Sequence, residues 1–394
     1  MLKRVVLIVG FLSTFSSTFA QHKTAVIPAT ETAVSAPKSH EVTAPISEAD
    51  KIKTENKDFI DHHLLDAHSF DIMVAKNADG TEKHIGFPLP VIFYDPSNGL
   101  HTMMSSTIHH GTEKEDAHGK KYQSFESKGQ KYALYHEKIV KADASGALTF
   151  DEHGHATNEK VLDLSITKSV LMILVTALLM IIIFGSIARG YKNSLVPTGA
   201  AKLFEPLILF IRDDIAKPNI GANYKKYLGY LLTIFFFILF LNIFGLMPFG
   251  INVTGNIAIT FALALLTFVI TQFTANKNYW QHIFWMPGLP WPMKIVMMPI
   301  EIIGMFIKPF ALLIRLFANM TAGHIVIMSL IAMIYVFKNV IAGVAFPLLT
   351  FVLYLLEILV AFLQAYIFTM LSAVYFGMAN EEHAHEGEEG VAHH

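Results

Sequence analysis

The chain has 394 residues, 30 Lys and Arg against 32 Asp and Glu for a formal charge of −2, and no cysteine. That excludes disulfides, thiolate catalysis and cysteine-ligated metals, and the balanced charge offers no basic footprint for nucleic acid. Hydrophobic residues make up 53 %, and they concentrate after Thr167, where the composition becomes that of a membrane protein.

Met1 to Ala20 carries Lys3 and Arg4, a short apolar run from Val5 to Leu12, and small residues up to Ala20. This reads as a secretory signal peptide, too short to span a bilayer, with the mature chain starting at Gln21. Residues 21–61 are rich in Ala, Thr, Ser, Glu, Lys and Pro without apolar period, which suits a disordered arm. Residues 62–165 change character. Alternating runs such as Phe70-Ile72-Val74, Val91 to Tyr94 and Tyr132 to Tyr135 are separated by turn formers, among them Asp95-Pro96-Ser97-Asn98-Gly99. They predict a small, exported, β-rich domain. Thirteen of the nineteen histidines lie between His22 and His155. They show no recurrent ligand spacing, so they read as solvated surface side chains, with no metal site and no cofactor assigned.

Residues 166–379 form the membrane part. Lys168 to Arg189, Tyr227 to Met247 and Ile257 to Ala275 are each apolar over about twenty residues, enough to cross ~30 Å of hydrocarbon. The segment between the first two holds Arg189, Lys192, Lys202, Arg212, Lys217, Lys225 and Lys226, whereas Pro248 to Asn256 carries no charge. The basic segment therefore belongs in the cytoplasm, the β-rich domain outside in the periplasm, and the C-terminus inside, in a bacterial inner membrane. Ala200 to Ile215 alternates apolar and charged positions as an amphipathic helix on the cytoplasmic face. Two further apolar stretches are too long to stand upright: Leu348 to Met378 alone would be ~46 Å as a helix. They predict a pair of steeply slanted spans, the first able to break at Pro299 or Pro309. Residues 380–394 read as a disordered acidic, histidine-containing tail. The expected fold is thus an all-α polytopic membrane protein of about five crossing helices plus an amphipathic cytoplasmic one, preceded by a small β-rich exported domain.

The polar residues inside the apolar stretches carry the function. Glu301, Lys308 and Arg315 follow at seven-residue steps, drifting ~20° each on a helix, and Asn319 falls one turn beyond Arg315. An ionisable residue at that depth costs at least ~2.5 kcal/mol, so it marks an ion path or faces protein. His324, nine residues after Arg315, should point the opposite way. On the last span Glu357 and Gln364 lie seven apart and share a face. With the last two spans antiparallel, Glu357 and His324 both fall toward the outer half of the membrane, where a carboxylate and an imidazole can pass a proton. Glu301 lies at the cytoplasmic side. A secondary transporter would also carry midplane charges, but no internal repeat is visible. A metalloenzyme would need ligands such as H-E-x-x-H, which are missing. No charged residue of this path precedes Glu301, so the sequence assigns the exported domain no part in it.

Glu301, Lys308-Pro309, Arg315 to Met320, Ala322-Gly323-His324 and Leu363 to Phe368, supported by Asn242 to Pro248 and Thr254 to Ala258, resemble subunit a of the F-type ATP synthases over about Ser165 to Ala379. The resemblance implies a subunit that is no enzyme by itself. It would translocate protons against a rotating ring of c subunits, beside b-type peripheral-stalk subunits and the catalytic head, in the lipid bilayer. Arg315 would be the essential cation facing the ring, with Asn319 beside it and Gln364 close by. His324 and Glu357 would line the outer aqueous half-channel and Glu301 the cytoplasmic one. The histidine and carboxylate stand exchanged relative to many bacterial members, as in mitochondrial ones. The long N-terminal part departs from the family pattern.

Overall fold

The computed structural model describes residues 66–76, 82–115, 121–151, 156–193, 196–197, 199–247, 252–286, 288, 290–337 and 340–380. The expected signal peptide, arm and tail beyond Asn380 lie outside these residues.

Alternating apolar positions produce strands in the N-terminal part. β1 (Ser69–Lys76) pairs with β2 (Glu82–Pro88); β3 (Pro90–Asp95) lies between β4 (Gly99–Met104) and β9 (Leu162–Asp163). A short helix α1 (Ser105–His109) leads to the meander β5 (Thr112–Glu115), β6 (Lys121–Ser127), β7 (Gln130–Tyr135) and β8 (Lys138–Lys141), with antiparallel pairing throughout. The inward sides of β3, β6 and β7 bury Val91, Phe93, Phe125 and Tyr132 with Ile108 and Val161 as one core.

Two histidines of this domain depart from the solvated-surface reading. His101 is fully buried, stacks on Phe93 at 4.7 Å and bonds Ser127 Oγ at 2.8 Å. His68 lies buried between two carboxylates, Nε2 at 2.7 Å from Asp163 and Nδ1 at 3.3 Å from Glu137. Burial alone would lower its pKa; the bonds and charges of Asp163 and Glu137 outweigh that and raise it to about 10. Composition and spacing could not find these two, because burial is decided by which strands pair.

The rest is helical. α2 (Lys168–Asn193) follows β9 directly. α3 (Ala200–Phe210), a π-helical turn at Ile211–Ala216 and α4 (Lys217–Ile220) form one run that ends at Gly221, whose φ of 71° suits only glycine. The expected amphipathic segment is therefore helical, with Ile211 and Ile215 fully buried and Leu203 exposed. α5 (Tyr224–Leu246), α6 (Ile257–Thr274) and the short α7 (Lys277–Phe284) precede the two longest helices, α8 (Trp291–Phe337, 47 residues) and α9 (Val340–Asn380, 41 residues). Among the described residues five helical runs are long and apolar enough to cross a membrane.

The break allowed at Pro299 or Pro309 does not occur. α8 continues through both prolines, and α9 begins before Pro347 rather than after it. Each proline deletes one intrahelical bond, a loss that flanking turns can absorb as a bend. At 1.5 Å per residue the two helices run ~70 and ~60 Å, twice the hydrocarbon thickness. They form an antiparallel hairpin: Phe337 meets Phe346 near its turn, Gly323 packs on Glu357 midway, and Lys308 lies over Tyr375 at the far end. One aromatic and aliphatic core, with Phe235, Phe236, Leu231, Ile238, Leu316 and Phe376, ties α5 to α8 and α9.

Candidate functional site

Arg315 and Asn319 stand on the exposed side of α8, while Leu312, Leu313, Leu316 and Met320 turn into the core. Their neighbours on that side are apolar and open: Ile307 is 58 % exposed, Phe310 53 % and Ile314 57 %. Among the described residues nothing bonds or pairs with the Arg315 guanidinium; the ion pairs of the membrane part are Arg212 with Asp213 and Lys217 with Asp213. A cation on an apolar helix face with no acid beside it among the described residues is a group that calls for an anionic partner.

Glu357 and Gln364 do the reverse. Both are buried, at 7 % and 5 % exposure, on the side of α9 that also buries Ala361, Ala365 and Phe368. The Glu357 carboxylate lies directly on the Cα of Gly323, so close that a Cβ there would collide with both of its oxygens. This brings Glu357 beside His324, the next residue along α8. No hydrogen bond joins the pair; instead Glu357 Oε1 and His324 Nε2 are both buried without a protein partner. An unpaired buried polar atom costs ~1 to 3 kcal/mol, so each of these two atoms leaves a place for a group that supplies a hydrogen bond, such as water.

A loop holds this arrangement in place. Asn252 Nδ2 donates to the Met320 carbonyl at 3.3 Å and Thr321 Oγ1 to the Gly255 carbonyl at 3.5 Å, both one turn before His324. Thr254 Oγ1 donates to Asn242 Oδ1 at 2.9 Å, and Asn242 Nδ2 to the Ala361 carbonyl at 3.2 Å, one turn after Glu357. Within the loop Gly255 N donates to Asn252 Oδ1 at 2.8 Å, and a Cβ on Gly255 would strike that side chain. Thus α5, α8 and α9 are joined by amides around the Glu357 carboxylate.

Toward the other end of the hairpin, a pocket of about 340 Å³ including its open mouth lies between α6, α7, α8 and α9, lined by Thr267, Thr271, Gln272, Tyr279, Lys308 and Tyr375. Gln272 Nε2 donates to Tyr279 Oη at 3.3 Å while its Oε1 is buried and unpartnered. Burial pushes the Tyr279 hydroxyl pKa up, the Gln272 bond opposes this, and the Glu301 charge adds to it. Glu301, half-exposed near the start of α8, is thus within electrostatic reach of the pocket. The reading of charges alone missed Thr267, Thr271 and Gln272. The signal was present: three polar residues in one apolar span, on neighbouring turns.

Comparison with known proteins gives the family. A family model described as ATP synthase A chain matches residues 170–377, and one described as a domain of unknown function (DUF8433) matches residues 59–164. ATP synthase subunit a 2 of Chlorobaculum tepidum is 50 % identical over 238 residues, covering 58 % of this chain and 67 % of that protein. ATP synthase subunit a 2 of Prosthecochloris aestuarii is 47 % identical over 264 residues, 64 % of this chain and 80 % of that protein. ATP synthase subunit a of Chlorobium phaeobacteroides is 46 % identical over 258 residues, 62 % of this chain and 75 % of that protein. With more than half its length matched by that model and five helices fit to cross a membrane, the chain belongs to the ATP synthase A chain family, as a multi-pass membrane subunit that is no enzyme by itself.

Proposed function

We propose that this chain carries the two aqueous half-channels and the fixed cation by which an F-type ATP synthase couples proton flow to rotation of its c-subunit ring. The observation that carries the reading is the contrast on the last two helices. Arg315 and Asn319 are exposed on an apolar face with no partner among the described residues, while Glu357 is buried against Gly323, the residue before His324. The first is the surface for a ring carboxylate. The second is the outer station, with Gln364 further along the same buried side. Glu301 and the polar pocket around Lys308 form the cytoplasmic station.

The chemistry follows from charge. A proton carried on a ring carboxylate through lipid must travel neutral and must leave at one exit. The Arg315 guanidinium stabilises the ionised carboxylate as it passes, lowering its pKa, and repels a bare proton crossing directly between the stations. Arginine keeps its charge where a buried lysine can lose its proton. One charge moved through 100 mV is worth ~2.3 kcal/mol, enough for a few protons to drive a step against bound nucleotide. In this reading the β-rich domain and the turn between α8 and α9 face the periplasm, and the basic segment after α2, the b-type stalk, the head and the C-terminus lie on the cytoplasmic side.

Arg315→Ala tests the reading. ATP-driven acidification of inverted vesicles should vanish while the ring still co-purifies, and passive proton flux through vesicles stripped of the head should persist or rise. Arg315→Lys should restore coupling poorly. Pumping retained in the Ala variant would sink the mechanism.

A further inference from the structure

The exported domain has no assigned part in translocation, yet one of its side chains reaches the membrane part at a telling place. Asp66, which precedes β1, lies half-buried between the domain and the start of α2. Its Oδ1 accepts from Ser169 N at 3.1 Å, and its Oδ2 from Thr167 Oγ1 at 2.9 Å and from Asn256 Nδ2 at 3.5 Å. Ala67 adds a carbonyl to Lys168 N at 3.0 Å, and Phe70 packs against the membrane core. The Ser169 bond caps α2, which any acceptor side chain could do, and the Thr167 bond only fixes the hydroxyl before the helix. The third does not belong to a cap.

Asn256 is the end of the loop that joins α5, α8 and α9. Its own Oδ1 caps α6 by accepting from Ala258 N at 3.0 Å, which leaves Nδ2 pointing at Asp66. One residue back, Gly255 accepts from Thr321, and Asn252 donates to Met320. A continuous set of hydrogen-bonded groups thus leads from the exported domain to the turn of α8 that presents His324. Val253 anchors the loop in the membrane core, while its asparagines and glycine are placed by hydrogen bonds.

We propose that Asp66 is a positioning residue, the latch by which the exported domain holds the 252–256 loop and, through it, the His324 and Glu357 station in register. It touches no proton of the path. It acts by accepting the Asn256 amide, and the domain behind it acts as a rigid mount. This rests on the reading of His324 and Glu357 as the outer station.

The test uses the polarity of the pair in the whole complex. Asp66→Asn keeps an oxygen for Ser169 N, so the α2 cap survives, but turns an NH₂ toward the Asn256 NH₂. Asn256→Asp sets two carboxylates against each other, and the exchange D66N with N256D restores one donor and one acceptor in reversed order. A lost hydrogen bond shifts an equilibrium by roughly two- to tenfold, so amide hydrogen exchange over residues 252–258 should quicken by about that factor in each single variant. The exchange variant should return to the native rate. Passive proton flux in head-stripped vesicles should follow the same order, several-fold down in the singles and recovered in the exchange, with the ring co-purifying throughout. If N256D alone fails to assemble, D66N and the exchange carry the comparison. An exchange variant no better than D66N, or singles with native protection, overturns the latch. Altered protection with native flux overturns its positioning role. If His324→Ala leaves flux intact, the station reading has failed, and the exchange rates still decide the latch.

Discussion

Gly323→Ala should disable the outer station while leaving the subunit assembled. The new methyl would fall on Oε1, Oε2 and Cδ of Glu357, at separations no real Cβ tolerates. What it meets is the free end of a flexible side chain, so the carboxylate turns aside and the helices need not part. That rotation costs ~0.5 to 1.5 kcal/mol, and replacing a helical glycine by alanine returns ~0.8 to 1 kcal/mol. Stability should therefore change by less than ~1 kcal/mol, within what the packed hairpin absorbs. Transport should not be spared, because a transfer group displaced by about 1 Å can lose on the order of a hundredfold in rate. The assay is passive proton flux and ATP-driven acidification in vesicles with the co-purified ring quantified. A drop of roughly ten- to a hundredfold with normal ring content is expected, and Glu357→Asp in the same background, one methylene shorter, should recover part of it. Gly377→Ala is the control for overpacking: its methyl would strike the backbone carbonyl of Asn219, which cannot turn away, so assembly itself should suffer. Native flux in an assembled Gly323→Ala subunit would refute the placement of Glu357 in the path.

Two other expectations can be checked alongside. His324→Ala should slow proton access from the outer side, and exchanging His324 with Glu357 should restore part of the loss because both groups are again present; an exchange no better than the single changes would count against the pairing. In the β-rich domain, the pKa of His68 is raised to about 10 in the fold, against ~6.5 for a free imidazole. Its contribution to stability is present below the free value and is lost as pH rises through about 10, at ~1.4 kcal/mol per pH unit while only the folded form holds the proton. Hydrogen-exchange protection of the domain in the intact complex, taken relative to the intrinsic rate at each pH, should therefore fall from pH 7 to 10, and that of His68→Gln should be lower at pH 7 but nearly flat over that range. A wild-type profile as flat as the variant's would show that Asp163 and Glu137 do not hold a charged ring.

Much of this protein was legible along the chain. Apolar runs of span length, the basic segment after α2 and the alternation before Lys160 determined the fold class, because helix and strand periodicity and the cost of a charge in lipid are local properties. The seven-residue steps of Glu301, Lys308 and Arg315 singled out one helix, and the resemblance to subunit a rests on those same residues. What the chain could not state were contacts between segments far apart in sequence. The seat of Glu357 on Gly323, the amide ties from Asn242 to Ala361 and from Asn252 to Met320, and the pocket around Gln272 depend on the register of packed helices, which no single helix specifies. The prolines of α8 show the same limit: they permit a break, and the flanking helical turns packed against α6 and α9 decide that the helix runs on. Asp66 shows it most plainly. Along the chain it is one acidic residue at the edge of a polar arm; only the docking of the β-rich domain onto α2 and α6 turns it into the acceptor for Asn256, because a hydrogen bond across 190 positions exists only once the chain has folded back on itself.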